Sequence, residues 1–479
     1  MKKIMKKNKS LKLIAFNIIA TFLLFLMNNI EAYGLGAIRI GLESRYLNAN
    51  SVFVGGPVLV NGTYFRNGVN IRVGGASSTH VELIYGGTVF KYSHSPFIVN
   101  AATDFGIYIG GRSYRGFVEV GRQRPGYGIT PVNVVDLEDY LKSVVPSEMP
   151  SAWHIEALRA QAVAARTFAM YRRGSHNHLG YELCDTVFSQ VYNGIGWENE
   201  RTTTAVTTTR GRVAVFNGLP ILAVYSSSNG GFSESSEYVW TEAVPHLRAV
   251  PDVYETGGLV WDRTFTASQI QNALPASSSI GSVVSIAIEG RTPGGRAHSL
   301  VIRGTNGSHR LYREQIRTFF SAIDGSLPSR VFQFGREMES PSANLGASLG
   351  GGPVMQNLEQ APIITDSGTS SVYVIISGGE IVEAPSIMYA IGTEGVFTIS
   401  RQPQPTNFLL SSVFDSFVAN LNFREVHYFA NGPVTIHGRG FGHGVGMSQF
   451  GAYSMARVGY NYVQILMHYF SGINVVTFN

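Results

Sequence analysis

The chain contains a single cysteine, Cys184, in 479 residues, which excludes any disulfide within the chain. Each domain must therefore be held together by its own apolar core, without covalent cross-links. The composition allows this, because 44% of the residues are hydrophobic and only 14% are charged, as in globular chains. At roughly 150 residues per domain, the length predicts two to four compact units.

Residues 1–32 have the pattern of an export signal. Six lysines precede an apolar stretch from Leu13 to Met27, and Ile30-Glu31-Ala32 offers a small-residue cleavage site. The stretch is shorter than the ~20 apolar residues of a membrane span, although retention as a signal-anchor stays open. We therefore expect an exported protein, located outside the cell at the cell wall or on the outer face of the membrane.

The formal charge of +5 does not indicate a nucleic-acid partner. Residues 33–479 contain 31 basic and 31 acidic residues, so the excess positive charge is confined to the predicted leader. A neutral body has no overall electrostatic attraction for phosphate backbones. We expect no DNA or RNA partner.

Residues 33–130 are predicted to form an antiparallel β module. Alternating apolar positions are interrupted by Asn61-Gly62 and Asn67-Gly68, between β-branched and aromatic residues. Such pairs are typical of tight hairpins, because both turn residues must adopt positive φ. Asn217-Gly218 predicts a further hairpin after residue 210.

The pattern becomes helical from residue 136. A helix is predicted over 136–145, capped by Asp136 and stopped by Pro146, and a second one over 152–172, capped by Ser151 and apolar on one face. Short strands and turns are predicted to follow as far as residue 334.

The last part of the chain is predicted to mix a linker, short strands and two helices. Residues 335–362 are rich in Gly, Ser and Pro, and strand-like runs follow over 372–376, 380–382 and 396–399. Helices are predicted over 446–455 and, capped by Asn461, over 462–469. The fold class is therefore α+β.

Glu148 is the most informative candidate for catalysis. It lies between Pro146 and Pro150, in the predicted connection between two helices, among apolar neighbours. The prolines restrict the backbone, and an apolar setting raises the pKa of a carboxyl towards that of a general acid at neutral pH. The alternative is a solvent-facing glutamate that caps the next helix.

Two further segments carry polar side chains in glycine-rich surroundings. Residues 437–452 place His443 and Gln449 among alternating glycines, and residues 225–231 place Ser228 and Asn229 before a Gly-Gly pair. These side chains suit sugar hydroxyls or an N-acetyl group, although ordinary turns explain both segments as well. Neither segment has the spacing of a dinucleotide loop or a serine-hydrolase elbow.

A metal centre is not expected. His176, His178 and Cys184 could each bind zinc, but their spacing matches no common structural site and a fourth ligand is missing. We expect no cofactor and no metal.

These segments resemble the SpoIID/LytB family, named after stage II sporulation protein D. The resemblance is carried by Val135–Pro150, Glu156–Phe168, Cys184–Tyr192, Ser228–Gly231 with Val239-Trp240, and Gly438–Ala452 with Ile465–Phe470. It implies a SpoIID-like mixed core formed by residues 131–334 and 431–479. Residues 335–430 would be a β-rich insertion, and residues 33–130 an added module.

The resemblance also implies a function. Catalytic members of the family are lytic transglycosylases that cleave peptidoglycan glycan strands, preferring strands without stem peptides, and their catalytic glutamate corresponds to Glu148. Ser228, Asn229, His443 and Gln449 are secondary candidates for glycan binding. Some members bind zinc near Cys184, but Phe188 and Ser189 occupy the positions where the extra ligands would lie.

Two other functions stay open. Other family members are non-catalytic enhancers of a cell-wall amidase, so an amidase or another sporulation wall hydrolase is a candidate partner beside the glycan itself. A hydrolytic glycosidase would need a second carboxylate, for which Asp185 and Glu182 are candidates.

Overall fold

The computed structural model describes residues 36–74, 80–122, 126–255, 258–335 and 425–478, with the backbone of short strands between 373 and 400. The predicted leader over 1–32 lies outside the described residues, as do residues 336–362 of the predicted linker over 335–362. Among the described helices, none combines the length and apolar character needed to cross a bilayer. Helices and sheets are both present, so the mixed α+β class is confirmed.

The first part of the chain forms two sheets that share one apolar core. Buried and exposed side chains alternate along their strands, as in Val52 and Val54 around the exposed Phe53. The strands are β1 Ala37–Gly41, β2 Ser51–Gly55, β3 Val58–Val60, β4 Thr63–Phe65, β5 Val69–Val73, β6 Val81–Tyr85, β7 Thr88–Ser93, β8 Phe97–Ala101, β9 Ile107–Ile109, β10 Arg112–Tyr114, β11 Phe117–Val120, β12 Val132–Asp136 and β13 Leu183–Cys184.

The strand order joins the predicted module to the segment that follows it. One sheet has the order β13-β1-β12-β11-β8-β3-β4 and the other β10-β9-β2-β5-β6-β7. Strand β1 pairs with β12 in antiparallel and with β13 in parallel fashion. Residues on both sides of position 130 therefore belong to one sheet and one core.

The two Asn-Gly pairs have different roles. Asn61-Gly62 joins β3 to β4 in a hairpin with φ of 45° and 81°, as predicted. The expectation of a hairpin at Asn67-Gly68 is wrong, because β4 pairs within the first sheet and β5 within the second. Gly68 is required by this crossing: its φ is 79°, and a Cβ atom there would lie 2.3 Å from the Val54 carbonyl oxygen.

Three helices follow, α1 Leu137–Glu148, α2 Ile155–Arg172 and α3 Glu200–Thr208. Asp136 caps α1 as predicted, accepting a hydrogen bond from the Glu138 N–H at 2.9 Å. The prediction that Pro146 ends this helix is wrong, because α1 continues to Glu148. Proline has a helical φ, so within the last turn it costs the helix little more than one N–H donor.

Helix α2 is the centre of the domain. The prediction of a Ser151 cap is wrong, since the helix begins at Ile155 and the His154 side chain accepts from the Glu156 N–H. The expectation of a single apolar face is also wrong, because nearly every residue from Ala157 to Met170 is buried. Its many alanines let neighbouring helices approach from all sides.

A second lobe forms around its own apolar core. It contains strands, as predicted for residues 210–334, and also three short helices that were not predicted. The elements from α3 to this lobe are β14 Arg212–Phe216, β15 Leu219–Pro220, β16 Tyr225–Ser226, β17 Val260–Phe265, α4 Ala267–Ala273, β18 Val283–Arg291, β19 Ala297–Gly304, β20 Gly307–Tyr312, α5 Gln315–Phe319, α6 Ser321–Asp324 and β21 Val331–Phe334. Strands β14 and β15 form the predicted hairpin at Asn217-Gly218.

The last elements of the chain divide between the second lobe and the core around α2. They are β22 Tyr373–Ile375, β23 Ile381–Glu383, β24 Ile387–Gly392, β25 Gly395–Ser400, β26 Glu425–Tyr428, β27 Val434–Arg439, β28 Met447–Ser448, α7 Gln449–Arg457, α8 Tyr462–Tyr469 and β29 Asn474–Thr477. Strand β26 pairs with β18, and β27 lies between β17 and β21. Helices α7 and α8 pack on α2, and β29 pairs with β14.

The predicted C-terminal helices are found with one shift. Helix α8 begins after Asn461 with a complete capping box, as expected. Helix α7 starts at Gln449 instead of Gly446, because residues 447–448 pair in parallel with Tyr225 and Ser226. This pairing places the glycine-rich segment directly beside the 225–231 segment.

Candidate active site

Glu148 is the last residue of α1, and its side chain is partly exposed. The prediction of an elbow held between two prolines is therefore wrong, since Pro146 lies inside the helix. The carboxylate is fixed instead by tertiary contacts. Its Oε1 atom accepts a hydrogen bond from the Val191 N–H at 2.8 Å, and the Tyr225 hydroxyl donates a second one.

The environment makes Glu148 a weak acid. Burial raises its pKa to about 7, and the hydrogen bonds from Val191 and Tyr225 offset only part of this effect. A carboxyl with this pKa holds its proton in a large fraction of molecules at neutral pH. It can therefore donate a proton and then take one back.

Tyr225 is oriented by Gln190. The Gln190 Nε2 atom donates to the Tyr225 hydroxyl oxygen at 3.0 Å and to the Ala165 carbonyl at 3.2 Å. Its Oε1 atom accepts from the buried Tyr140 hydroxyl at 3.2 Å. Because the Tyr225 oxygen already accepts from an amide, its own proton is directed towards the Glu148 carboxylate.

Gln449 joins this network from the other end of the chain. Its Nε2 atom donates to Gln161 Oε1 at 3.3 Å, and Gln161, on α2, faces Tyr225. Both glutamines are buried. The structure thus brings Gln449 to the Glu148 region through two side chains.

Ser228 and Asn229 are buried and bind carboxylates inside the protein. The Ser228 hydroxyl donates to Glu255, and Asn229 donates from its N–H to Glu255 at 3.0 Å and from Nδ2 to Asp252 at 2.8 Å. Burial raises the pKa of Asp252 to about 6, and burial together with the Asp252 charge raises the pKa of Glu255. Both residues were predicted to bind glycan; in this structure their polar side-chain groups bond to Glu255 and Asp252 within the fold.

The same carboxylates position the start of α7. Ser448 donates to Glu255 Oε2 at 2.5 Å, and it also accepts from the Gly451 N–H as the helix cap. The next residue is Gln449. The buried cluster of Ser228, Asn229, Asp252 and Glu255 therefore holds Gln449 in place.

His443 has a different set of neighbours. Its ring packs against Trp240 at 5.1 Å between centroids, and its Nδ1 atom accepts from the Val445 N–H at 3.0 Å. Burial, reinforced by nearby arginines of the second lobe, lowers its pKa to about 4. Within the part of the chain that the structure describes, neither of these contacts links His443 to Glu148.

The candidate second carboxylates are held by basic and hydroxyl groups. Asp185 accepts from the Ser44 N–H at 2.9 Å and from its hydroxyl at 2.5 Å, and Glu182 pairs with Arg173 at 3.0 Å. The Cys184 sulfur contacts the hydroxyls of Thr186 and Ser189. Within the described ranges, no three His, Cys, Asp or Glu side chains are grouped to hold a metal ion.

Sequence reasoning missed Tyr225, Gln190 and Gln161 as site residues. One signal for Gln161 was present, since it is a polar residue in an alanine-rich helix whose buried amide needs partners. Tyr225 and Gln190 carry no comparable local signal, because their roles depend on contacts between distant segments.

Comparison with known proteins adds a family. Residues 126–216 match the family model described as Stage II sporulation protein. The chain carries a SpoIID domain. This domain contains Glu148, Gln161, Gln190 and Val191, while Tyr225 and Gln449 lie beyond the matched residues. The resemblance to the SpoIID/LytB family is confirmed.

The similarity to individual proteins extends beyond residues 126–216. The chain is 30% identical over 382 residues to the amidase enhancer of Bacillus subtilis (strain 168), covering 79% of this chain and 46% of that protein. It is 33% identical over 206 residues to the stage II sporulation protein D of the same organism, covering 39% and 59%. For that of Bacillus amyloliquefaciens the values are 25% over 361 residues, 72% and 75%. The chain thus spans about half the length of the amidase enhancer.

Proposed function

We propose that this protein is a peptidoglycan lytic transglycosylase, which cleaves the MurNAc–GlcNAc linkage of glycan strands with Glu148 as its single acid/base. The observation that carries the proposal is the carboxyl of a partly exposed residue, with a pKa raised by burial to about 7 and an orientation fixed by Val191 and Tyr225. The match to a sporulation family and to an amidase enhancer supports a role in the cell wall. An exported location, set by the leader, belongs to the same proposal.

The chemistry requires one carboxyl only. Protonated Glu148 donates its proton to the glycosidic oxygen as the bond to C1 of MurNAc breaks. The C6 hydroxyl of the same sugar then bonds to C1, which closes a 1,6-anhydro ring, and its proton returns to the carboxylate. Hydrolytic glycosidases differ because they place a second carboxylate opposite the first.

Product analysis tests this proposal. The purified protein is incubated with glycan strands freed of stem peptides, and the products are analysed by mass spectrometry. We expect sugars with 1,6-anhydro ends, which are lighter than the hydrolysis products by one water. Reducing ends would indicate a hydrolase, and the absence of any cleavage would contradict an enzymatic role.

An amidase enhancer is the second candidate, since the amidase enhancer of Bacillus subtilis is similar over 79% of this chain. In that case the protein binds the wall and accelerates a cell-wall amidase without cleaving glycan. Stimulation would then be equal for the native protein and for Glu148→Gln. If Glu148→Gln instead fails to stimulate the amidase, glycan cleavage and amidase stimulation would depend on the same site.

The pH dependence of cleavage provides a further prediction. Because the proton donor is protonated Glu148, with a pKa of about 7, kcat/KM falls as the pH rises above 7, approaching tenfold per unit. The Tyr225 hydroxyl stabilises the carboxylate and so lowers this pKa. Tyr225→Phe removes that effect, and the alkaline limb of the profile should move to higher pH. An unchanged limb in this variant would exclude Tyr225 as the positioning group.

A further inference from the structure

The Trp240 ring is exposed although the turn that carries it is firmly anchored. Its side chain belongs to a residue that is 41% exposed. The Trp240 backbone N–H donates to the Ser236 carbonyl at 2.8 Å. The Ser236 hydroxyl in turn donates to the Glu242 carbonyl and accepts from the Val244 N–H. An indole held at the surface in a fixed orientation offers a large apolar area at a low entropic cost to a ligand.

His443 places a polar group beside this indole. Since its Nδ1 atom accepts from the Val445 N–H, the proton lies on Nε2, which makes no hydrogen bond within the described part of the chain. His443 is a partly exposed residue, and its lowered pKa keeps the ring neutral above about pH 5. The pair therefore offers an apolar face and an uncharged N–H donor side by side.

The second lobe fixes the turn that carries His443. A Cβ atom at Gly444, whose φ is 75°, would lie 1.7 Å from the Arg296 Nη2 atom. Arg296 is buried and donates to the Asn229 carbonyl at 2.8 Å and to the Phe232 carbonyl at 3.0 Å. Glycine at position 444 therefore leaves the space that this guanidinium occupies between the turn and the 229–232 backbone.

The chain path connects this pair to the Glu148 region. Ser228 exchanges backbone hydrogen bonds with Phe441, two residues before His443. Tyr225, which donates to Glu148, precedes Ser228 by three residues and is therefore within about 11 Å of it. A glycan strand several sugars long can reach from one position to the other.

We infer that Trp240 and His443 form a distal subsite, in which a sugar ring of the glycan strand stacks on the indole while the imidazole N–H donates to its hydroxyl or acetyl oxygen. The inference rests on the proposed function. A planar apolar surface beside one neutral donor fits a pyranose ring, which has an apolar face and a polar edge. Trp240 then determines the affinity for long strands and takes no part in the proton transfer.

The test measures binding apart from cleavage. Denuded glycan strands are titrated by calorimetry into the full chain carrying Glu148→Gln, so that no product forms. Adding Trp240→Ala or His443→Ala to this background should weaken binding roughly tenfold, and Trp240→Phe should recover most of the affinity. The matched control is Tyr428→Ala. Tyr428 is also an exposed aromatic residue, but it lies on β26 of the second lobe, and its removal should leave binding unchanged.

The outcomes separate this subsite from the catalytic proposal. Weaker binding of the Trp240 and His443 variants supports the subsite even if the native protein releases no anhydro products. Equal binding by all variants, or no binding of strands to the Glu148→Gln protein, overturns it. Far-ultraviolet circular dichroism of each variant checks that the fold is retained, and His443→Ala supplies the test if Trp240→Ala does not fold.

Discussion

Replacing Glu148 by glutamine is expected to reduce the release of anhydro sugars from denuded glycan by roughly 10²–10⁴-fold, because the amide can neither donate the proton nor accept it. The side chain keeps its size, so the hydrogen bond from the Val191 N–H is retained by the amide oxygen. Initial rates measured by mass spectrometry give the size of the loss. Glu200→Gln, an exposed glutamate in the first turn of α3, is the matched control and should have native activity.

Stability measurements test whether unfolding contributes to this loss. Since the pKa of Glu148 is raised to about 7, the folded state holds the proton more tightly than the unfolded chain. The native protein therefore loses more stability than Glu148→Gln as the pH rises from about 4.5 to 7, while the contributions of Asp252 and Glu255 are the same in both proteins. Urea unfolding at pH 8 should find the variant at least as stable as the native protein. Native activity in the variant would remove Glu148 from the mechanism.

The largest expected loss of stability comes from Arg166→Met. Arg166 on α2 and Glu138 on α1 form two parallel hydrogen bonds of 2.7 Å, and their side chains are only 0% and 4% exposed. Removing the guanidinium leaves a buried carboxylate without its counter-ion, which costs about 3–5 kcal/mol of unfolding free energy. Urea unfolding at constant pH measures this cost.

A second ion pair on α1 supplies the control. Lys142 and Asp139 lie 2.6 Å apart, but their side chains are 23% and 35% exposed, so Lys142→Met should cost less than about 1 kcal/mol. Combining Arg166→Met with Glu138→Leu removes both buried charges and should restore much of the lost stability. Equal costs for Arg166→Met and Lys142→Met would show that the buried pair does not hold α1 to α2.

Local signals in the sequence were reliable where the structure they specify is itself local. Asn61-Gly62 forms its hairpin, and Asp136 and Asn461 cap their helices, because each depends on residues a few positions away. Pro146 and Asn67-Gly68 were misinterpreted because tertiary packing decides whether a helix continues or a turn joins paired strands.

The candidate site shows the same division. Glu148 was recognisable from its apolar neighbours and family resemblance, whereas its partners were not. The Val191 N–H lies 43 positions away in the chain, and the contact between Gln449 and Gln161 spans 288 positions. The second contact depends on the pairing of β28 with β16, and no periodicity in the sequence encodes that pairing.

The pairing of β29 with β14 has a consequence for the order of events during synthesis. The core around α2 takes side chains from residues 149–247 and from residues 445–473, so its two halves are translated far apart in time. A nascent chain stopped before residue 445 would hold Glu148 but lack Gln449 and much of the packing around α2. If the proposed function holds, a chain that stops before residue 445 should not cleave glycan.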